Sequence, residues 1–577
     1  MNKKQKFFGS FFQKRTPFFF EKKQQKTFAP VLRVSPIVLM AAALPPLPAQ
    51  TLLRLHNDPA AWQAFRAAHA GVPLTRAWPR HPPAAKLAWT QVFSGLTLSN
   101  PILLTDGTVL AHNTCSNLWH RLTPDINGSY ANGTWALTAA MPSSYAPRFF
   151  ASGVLPDGRV IVEGGEYNGS NCDDVETTKG AIYDPQTNTW QSVAPPTGWA
   201  QIGDAASIVL PNGNFLLSTC CGTSLATLNP TTLTWTSAAA AGKADSNNEE
   251  NWTLLPNGNV LTVDAYTIGP TGNPIACGSG SEFYAPATGT WTSAGSTLHK
   301  LAGCTGTIQD FEAPTQTLFP NGTLAAFGST AATTNQPVWT AKYSTANKTW
   351  TSKIEMPTVA GEFYTMADAP AAVLPNGNVL IAASPAVWSS NQQLWYPAPT
   401  HFFLFNGTSF TQIADVADSP NLSSFEMNFL VLPSGEVLGV ETDYDNSEIL
   451  PAICCANAAW APTITSVSSD TLTAGASYTL NGTQLNGLTQ GATFGDDAQA
   501  DTNFPLVRIT NTATSHVFYA RTFGFTRTIA RGAASSTSFA VPSKIETGSS
   551  SLVVVANGIA SKPVAVTIKA APAIAAP

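Results

Sequence analysis

Residues 372–384 read AVLPNGNVLIAAS, an apolar run that breaks at Pro375-Asn376-Gly377 and resumes apolar. The same phrase occurs six more times: LLTDGTVLAH (103–112), GVLPDGRVIVEGG (153–165), IVLPNGNFLLS (208–218), TLLPNGNVLTVDA (253–265), TLFPNGTLAAFGS (317–329) and LVLPSGEVLGVET (430–442). Its glycines, Gly107, Gly158, Gly213, Gly258, Gly322, Gly377 and Gly435, recur every 45 to 64 residues. Each Asn-Gly or Asp-Gly pair is suited to the positive φ angles of a tight hairpin, and the flanking Val, Leu and Ile supply two buried strands. A hairpin cannot bury both its faces alone, so such repeats persist by packing on one another. This period predicts a propeller of seven blades.

A second mark lies between the hairpins, a turn followed by Thr, Ser or Ala and an aromatic, as in FYAPATGTW and YSTANKTW. Its aromatics are Trp89, Trp135, Trp190, Trp235, Trp291, Trp350 and Phe410, again seven. Trp89 precedes the first hairpin, while no matching aromatic strand follows the last one. The N-terminal strand WTQVF is therefore expected to complete the last blade and close the ring, leaving no open sheet edge.

The chain has 577 residues, 44% hydrophobic and only 11% charged, with 43 Pro and 42 Gly, a composition suited to many short strands and turns. No apolar run reaches the ~18 residues of a spanning helix. Residues 1–49 are basic and Phe-rich, then apolar with a small-residue end, and read as a leader for export. Without them 21 Lys/Arg face 34 Asp/Glu, a net charge of −13 that argues against nucleic acid or anionic lipid as partners. Residues 50–85 hold one short helix, NDPAAWQAFRAAHAG, stopped by Gly71. From 461 to 570 an even Thr/Ser/Val alternation predicts an immunoglobulin-like β-sandwich, ahead of a tail at 571–577.

Eight cysteines in an exported chain point to disulfides. Cys115 and Cys172 follow the second strand of neighbouring blades and are expected to pair; Cys277 and Cys304 flank the aromatic strand of the fourth blade and make a second pair. The doublets Cys220-Cys221 and Cys454-Cys455 allow either vicinal bridges or separate partners.

A seven-bladed propeller at 86–460 followed by this sandwich resembles the galactose oxidase and glyoxal oxidase family of copper-radical enzymes. FPLVRITNTATSHVFYAR (504–521) resembles that family's strand-turn that delivers a histidine to copper, and SFAVPSKIETGSSSLVVVANGIASKPVAVTI (538–568) resembles its closing strands. The resemblance implies His516 as the axial histidine. Counting eight residues back from the hairpin Asp/Asn/Ser gives the family's thioether-linked tyrosine in the second blade and its other histidine in the last. This chain has Phe149 and Glu426 there, Phe425 where the axial tyrosine belongs, and LSNP where a Cys-Pro is required. Phenylalanine has no phenol to lose a proton and an electron, so the copper-radical oxidase chemistry is not expected.

The same count gives Leu98, Phe149, Asp204, Glu249, Ala313, Asp368 and Glu426, with Glu250 and Glu312 beside it. Five blades thus place a carboxylate at or near the channel rim. Converging carboxylates must take up protons, stay hydrated, hold a divalent metal, or bond to backbone N–H groups and stitch blades together. The reading is of a secreted, monomeric binding protein for a carbohydrate or a cation. Asp204, Glu249, Asp368, Glu426 and His516 are candidate metal ligands, and Glu250, Glu312, Phe149 and Phe425 candidate ligand contacts. Two alternatives stand beside it: a metal-dependent oxidoreductase of a carbohydrate or alcohol built on Glu426 and His516, and a scaffold for another extracellular protein. The polar segment NGLTQGATFGDDAQADTNFP (486–505) reads as a solvated loop, with calcium binding at Asp496, Asp497 and Asp501 the weaker alternative because the three lack a defined loop spacing.

Overall fold

The computed structural model describes residues 87–572 except 221, 265–266, 269–273, 277, 303, 306–307, 310–313, 330–336, 389–393 and 496. The leader, the 57–71 helix, Glu312 and Cys277 lie outside the described residues. Among those described, the chain is all-β: helix is limited to three 3-10 turns of three residues each. No described helix is long and apolar enough to cross a membrane.

All seven turn phrases form hairpins, by a division of labour the sequence states only in part. Each glycine takes a positive φ, from 77° at Gly107 to 89° at Gly158, and donates its N–H to the carbonyl three residues back. The preceding Asp or Asn keeps a negative φ and uses its side chain instead. Asp106, Asp157, Asn212, Asn257, Asn321 and Asn376 each accept the N–H two residues on, at 2.9 to 3.2 Å. Thus Gly supplies the left-handed position, Asn or Asp a side-chain acceptor, and Pro a preset φ at the turn's second position.

Each hairpin begins a four-stranded antiparallel unit. Six are separate sheets, and the remaining one, the sixth in chain order from Ala371–Val373 to Phe410–Gln412, belongs to an eight-stranded one. First and second strands such as Leu98–Leu103 and Val160–Glu163 are buried throughout, whereas fourth strands such as Thr189–Val193 and Thr234–Ala238 are largely exposed. Trp135, Trp190, Trp235, Trp291, Trp350 and Phe410 all sit on fourth strands. The last unit takes its fourth strand from the N-terminal side: Thr90–Ser94 pairs with Asn446–Leu450, and Trp89 stacks on Phe429.

Apart from the hairpin Gly491–Phe494 and Ala498–Asp501, the strands from Thr463–Val467 to Val564–Lys569 form a nine-stranded sheet with one parallel pair, Thr471–Thr473 with Val564–Lys569. Leu480, Val507, Ile509, Phe539, Leu552 and Val566 from its strands meet in one apolar cluster, so the sheet folds over its own core. It docks on the turn end of the units. Thr522 N–H donates to Thr105 O, Gly524 N–H to Pro156 O and Arg531 to Pro320 O, while Tyr519 covers Gly107 and Trp460 covers Gly377. Both glycines lack room for a Cβ against these rings.

Cys115 and Cys172 are disulfide-bonded across neighbouring units, Cα atoms 5.4 Å apart. Cys454 and Cys455 bond to each other, and Cys220 is also in a disulfide.

Candidate functional site

One segment of the C-terminal part runs along the first strands of the units. The hairpin Gly491–Phe494 and Ala498–Asp501 pairs with Ala371–Val373 of the sixth unit. Gln499 Oε1 accepts from Ser152 N at 2.8 Å and from Ser207 Oγ at 3.0 Å, in the second and third units. Asn251 of the fourth donates to Thr493 Oγ1 at 2.7 Å and to Gly495 O at 2.8 Å. The hairpin also packs on Leu98–Leu103, Thr315–Leu318 and Met427–Val431, the first strands of the remaining units. The hairpin thus meets the first strands of six units, and Asn251 just ahead of Thr253–Leu254 in the fourth. The stretch expected to be a solvated loop is therefore a mostly buried segment shared by the units, because its polar side chains satisfy strand edges that would otherwise be buried without partners.

His516 is placed elsewhere. It stands between Leu506–Asn511 and Val517–Phe523, where Val517 N–H donates to Ile126 O and Val517 packs on Gly128. That is the turn end of the first unit, whereas Glu426 lies at the strand starts. His516 Nδ1 is instead 2.6 Å from Glu546 Oε1, so the expected Glu426–His516 metal pair is not formed. Hydrogen bonds from Thr514 and then His516 hold the Glu546 carboxyl below its usual range.

The count of eight does locate equivalent backbone. Phe149, Glu249 and Asp368 take φ of 50°, 55° and 47°, left-handed conformations that non-glycine residues adopt at a cost of about 1–3 kcal/mol. Such strain persists where the surroundings impose it. Here it turns three side chains at matching strand starts.

From these positions an arc of contacts runs through the sixth, seventh and second units. Tyr396 O–H donates to Asp368 Oδ2 at 2.6 Å, and its ring meets Phe425 edge-on at 6.0 Å. The next residue, Glu426, closes a capping box by accepting Ser423 N–H at 2.8 Å, and its carbonyl accepts Thr442 N–H. Adjacent Asp443 pairs with Arg148 at 2.9 Å, and the guanidinium lies 4.6 Å from the Phe149 ring, itself 6.2 Å from Tyr167. Carboxylates held by neutral donors, an arginine and aromatic rings make a polar, mostly buried contact set at the strand starts. Sequence reasoning named Phe149, Asp368, Phe425 and Glu426 but missed Tyr396, Arg148, Tyr167 and Asp443. Arg148 directly precedes Phe149 in a charge-poor chain, which was a usable signal; Tyr396 had none.

The remaining rim candidates face other partners. Asp204, 1% exposed, lies with Glu176 and Cys220, their ligand atoms within 4.8 Å of one another. A disulfide sulfur is no thiolate, so this trio is a poor metal set. Glu250 accepts from Lys243 Nζ at 2.7 Å and from Trp252 Nε1 at 3.2 Å. It belongs to an interior ionic cluster, not to the rim.

No family model and no curated protein matches the chain. Among solved structures, a fungal alcohol oxidase of the AA5 family in complex with copper is similar at 14% identity, covering 83% of this chain and 99% of that one, with a TM-score of 0.46. A streptogramin B lyase follows at 11% identity over 63% and 96%, TM-score 0.40. A virginiamycin B lyase from Staphylococcus aureus has 9% identity over 63% and 99%, TM-score 0.41. With TM-scores below 0.5, none of the three bears on the activity of this chain.

Proposed function

We propose that the seven units are the blades of a galactose-oxidase-like propeller (86–460), that residues 461–570 are an immunoglobulin-like sandwich, and that this exported protein binds a carbohydrate at the axial mouth without copper-radical chemistry. The observation that carries the reading is the Asp368–Tyr396–Phe425 contact set beside the Arg148–Asp443 pair over Phe149. Sugar hydroxyls bond to carboxylate and guanidinium, and the apolar face of a sugar ring stacks on an aromatic.

The donor set does not suit the family's copper radical. Phe149 and Phe425 carry no phenol, Glu426 replaces a histidine, and the Tyr396 hydroxyl is committed to Asp368. Among the described histidines, His112 is bonded to Ser116 O, His299 stacks on Trp339, His401 pairs with Asp415 and His516 with Glu546. His120 lies on the third strand of the first unit. A glycan array followed by titration calorimetry tests the reading. Neutral oligosaccharides should bind, and Asp368→Asn and Phe149→Ala should each weaken binding at least tenfold. Equal affinity in both variants would remove the mouth as the site, and a chain that instead captures an extracellular protein through these residues would make it a scaffold.

A further inference from the structure

The run Lys243-Ala-Asp-Ser-Asn-Asn-Glu-Glu-Asn251 enters the fourth unit with every residue from Asp245 to Asn251 buried. Lys243 Nζ contacts Asp245, reaches Glu250 at 2.7 Å and Glu282 at 2.8 Å, and lies 4.9 Å from the Trp291 ring. Asp264 completes the group: Asp245, Asp264 and Glu282 each offer an oxygen within 4.8 Å of the others. Four carboxylates thus surround one ammonium, an excess of three negative charges if all are ionised. Buried like charges of that number require protons or a further cation.

Two unpartnered oxygens point to the cation. Asp264, 8% exposed, leaves Oδ1 without a hydrogen-bond partner. Thr262, fully buried, leaves Oγ1 equally unpartnered, and it stands directly opposite Glu282 in the strand pairing. Residues paired across two strands send their side chains to the same face, and Asp264, two residues beyond Thr262, shares it. A fully buried hydroxyl on the same sheet face as a carboxylate cluster, with no partner of its own, is available as a neutral ligand.

We propose that Asp245, Asp264 and Glu282, with the Thr262 hydroxyl, form a structural site for a hard divalent cation of the calcium class, inside the fourth unit and distinct from the mouth. The ligands are all oxygens, which favours calcium, magnesium or manganese over zinc or copper. Lys243 stays bound to Glu250, and a divalent ion lowers the residual charge from −3 to −1.

The test uses the full chain stripped with chelator and titrated with terbium and calcium, exciting indole, because Trp291 and Trp252 adjoin the cluster. One terbium per chain should give sensitised emission that calcium displaces, with a calcium Kd on the order of 10⁻⁴ M as in extracellular modules, and calcium should raise Tm. Asp264→Asn should weaken binding at least tenfold yet raise Tm in chelator, since it removes like-charge repulsion. Thr262→Val, which keeps every charge, should weaken binding severalfold. The mouth variant Asp368→Asn should retain full emission, which separates this site from the proposed carbohydrate site. Absence of emission and an identical Tm in chelator and calcium for the wild type would overturn the proposal. So would wild-type affinity in both Asp264→Asn and Thr262→Val, or loss of emission in Asp368→Asn.

Discussion

The fourth and last units both bury several carboxylates, and they stabilise them in opposite ways. Around Lys243, Glu250 and Glu282 point at an ammonium; burial alone would lower that lysine, but Glu250, Asp245 and Glu282 outweigh it and hold it charged. In the last unit Glu441, fully buried, is pushed up to about 9 by burial and then by Glu448 and Asp418, and Glu448 rises to about 7. There the acids keep protons. The fourth unit is thus built around a counter-charge and the last around retained protons, although the two grow from the same turn phrase.

Removing the ammonium should break this contrast most severely. Lys243→Met leaves buried carboxylates without their counter-charge, a change of the kind that costs about 3–5 kcal/mol. Urea unfolding at pH 7 should show that loss, and lowering the pH should recover part of it as the carboxyls take up protons. A loss that is independent of pH would mean that packing against Trp291, not charge, is what the lysine contributes.

In the last unit the sign is set by acids whose folded ionisation lies above the unfolded one. The folded chain binds the proton more tightly, so this stability is fully present below about pH 4.5 and is lost as pH rises through about 7 for Glu448 and about 9 for Glu441. Glu448 sits on Asn446–Leu450, the strand that receives the closing strand Thr90–Ser94. Alkaline pH should thus loosen the seam of the ring first. Glu441→Gln should raise Tm by about 2–4 °C at pH 9, the effect of ~1 kcal/mol in a large domain, and leave it unchanged at pH 5; a gain of equal size at both values would sink the ionisation account.

How far the sequence reveals these differences depends on the range of the interactions. The seven turns were legible because Pro, Asn and Gly act within four residues, as were the outer-strand aromatics and the closure by WTQVF. The count of eight found the left-handed positions Phe149, Glu249 and Asp368, although nothing local explains their strain. The shared segment was not legible: Gln499 and Asn251 look like solvated polar residues until strands some 240 to 350 positions away meet them. His516 failed for the same reason, since a family-like strand-turn says nothing of which end of the ring it docks on. Lys243 and Glu250 lie seven residues apart, near enough to pair, but Glu282 and Asp264 join them only once the sheet forms.

The mouth is a third solution, in which a neutral donor holds the charge. Tyr396→Phe removes the 2.6 Å phenol bond to Asp368, an interaction to a charged group of about 1.5–3 kcal/mol. Carbohydrate affinity should fall about tenfold, and because Asp368 is buried the lost bond should also lower Tm by a few degrees. A large stability loss with unchanged affinity would instead make the pair a stitch between the sixth and seventh units.

The smallest effect belongs to a carboxylate that is exposed. Glu546 and His516 meet at 2.6 Å, but both are about one-third accessible, so water already solvates them and salt screens their attraction. His516→Ala should leave Tm unresolved from wild type and leave binding at the mouth unchanged, measured by the same calorimetry as Asp368→Asn. The hairpin that carries His516 touches Ile126 and Gly128 at the turn end of the first unit, while the mouth lies beyond the full length of Leu98–Leu103. No contact described here spans that distance from His516. A tenfold loss of affinity in His516→Ala would mean that the strand-turn carrying His516, and not only the hairpin at 491–501, reaches the ligand.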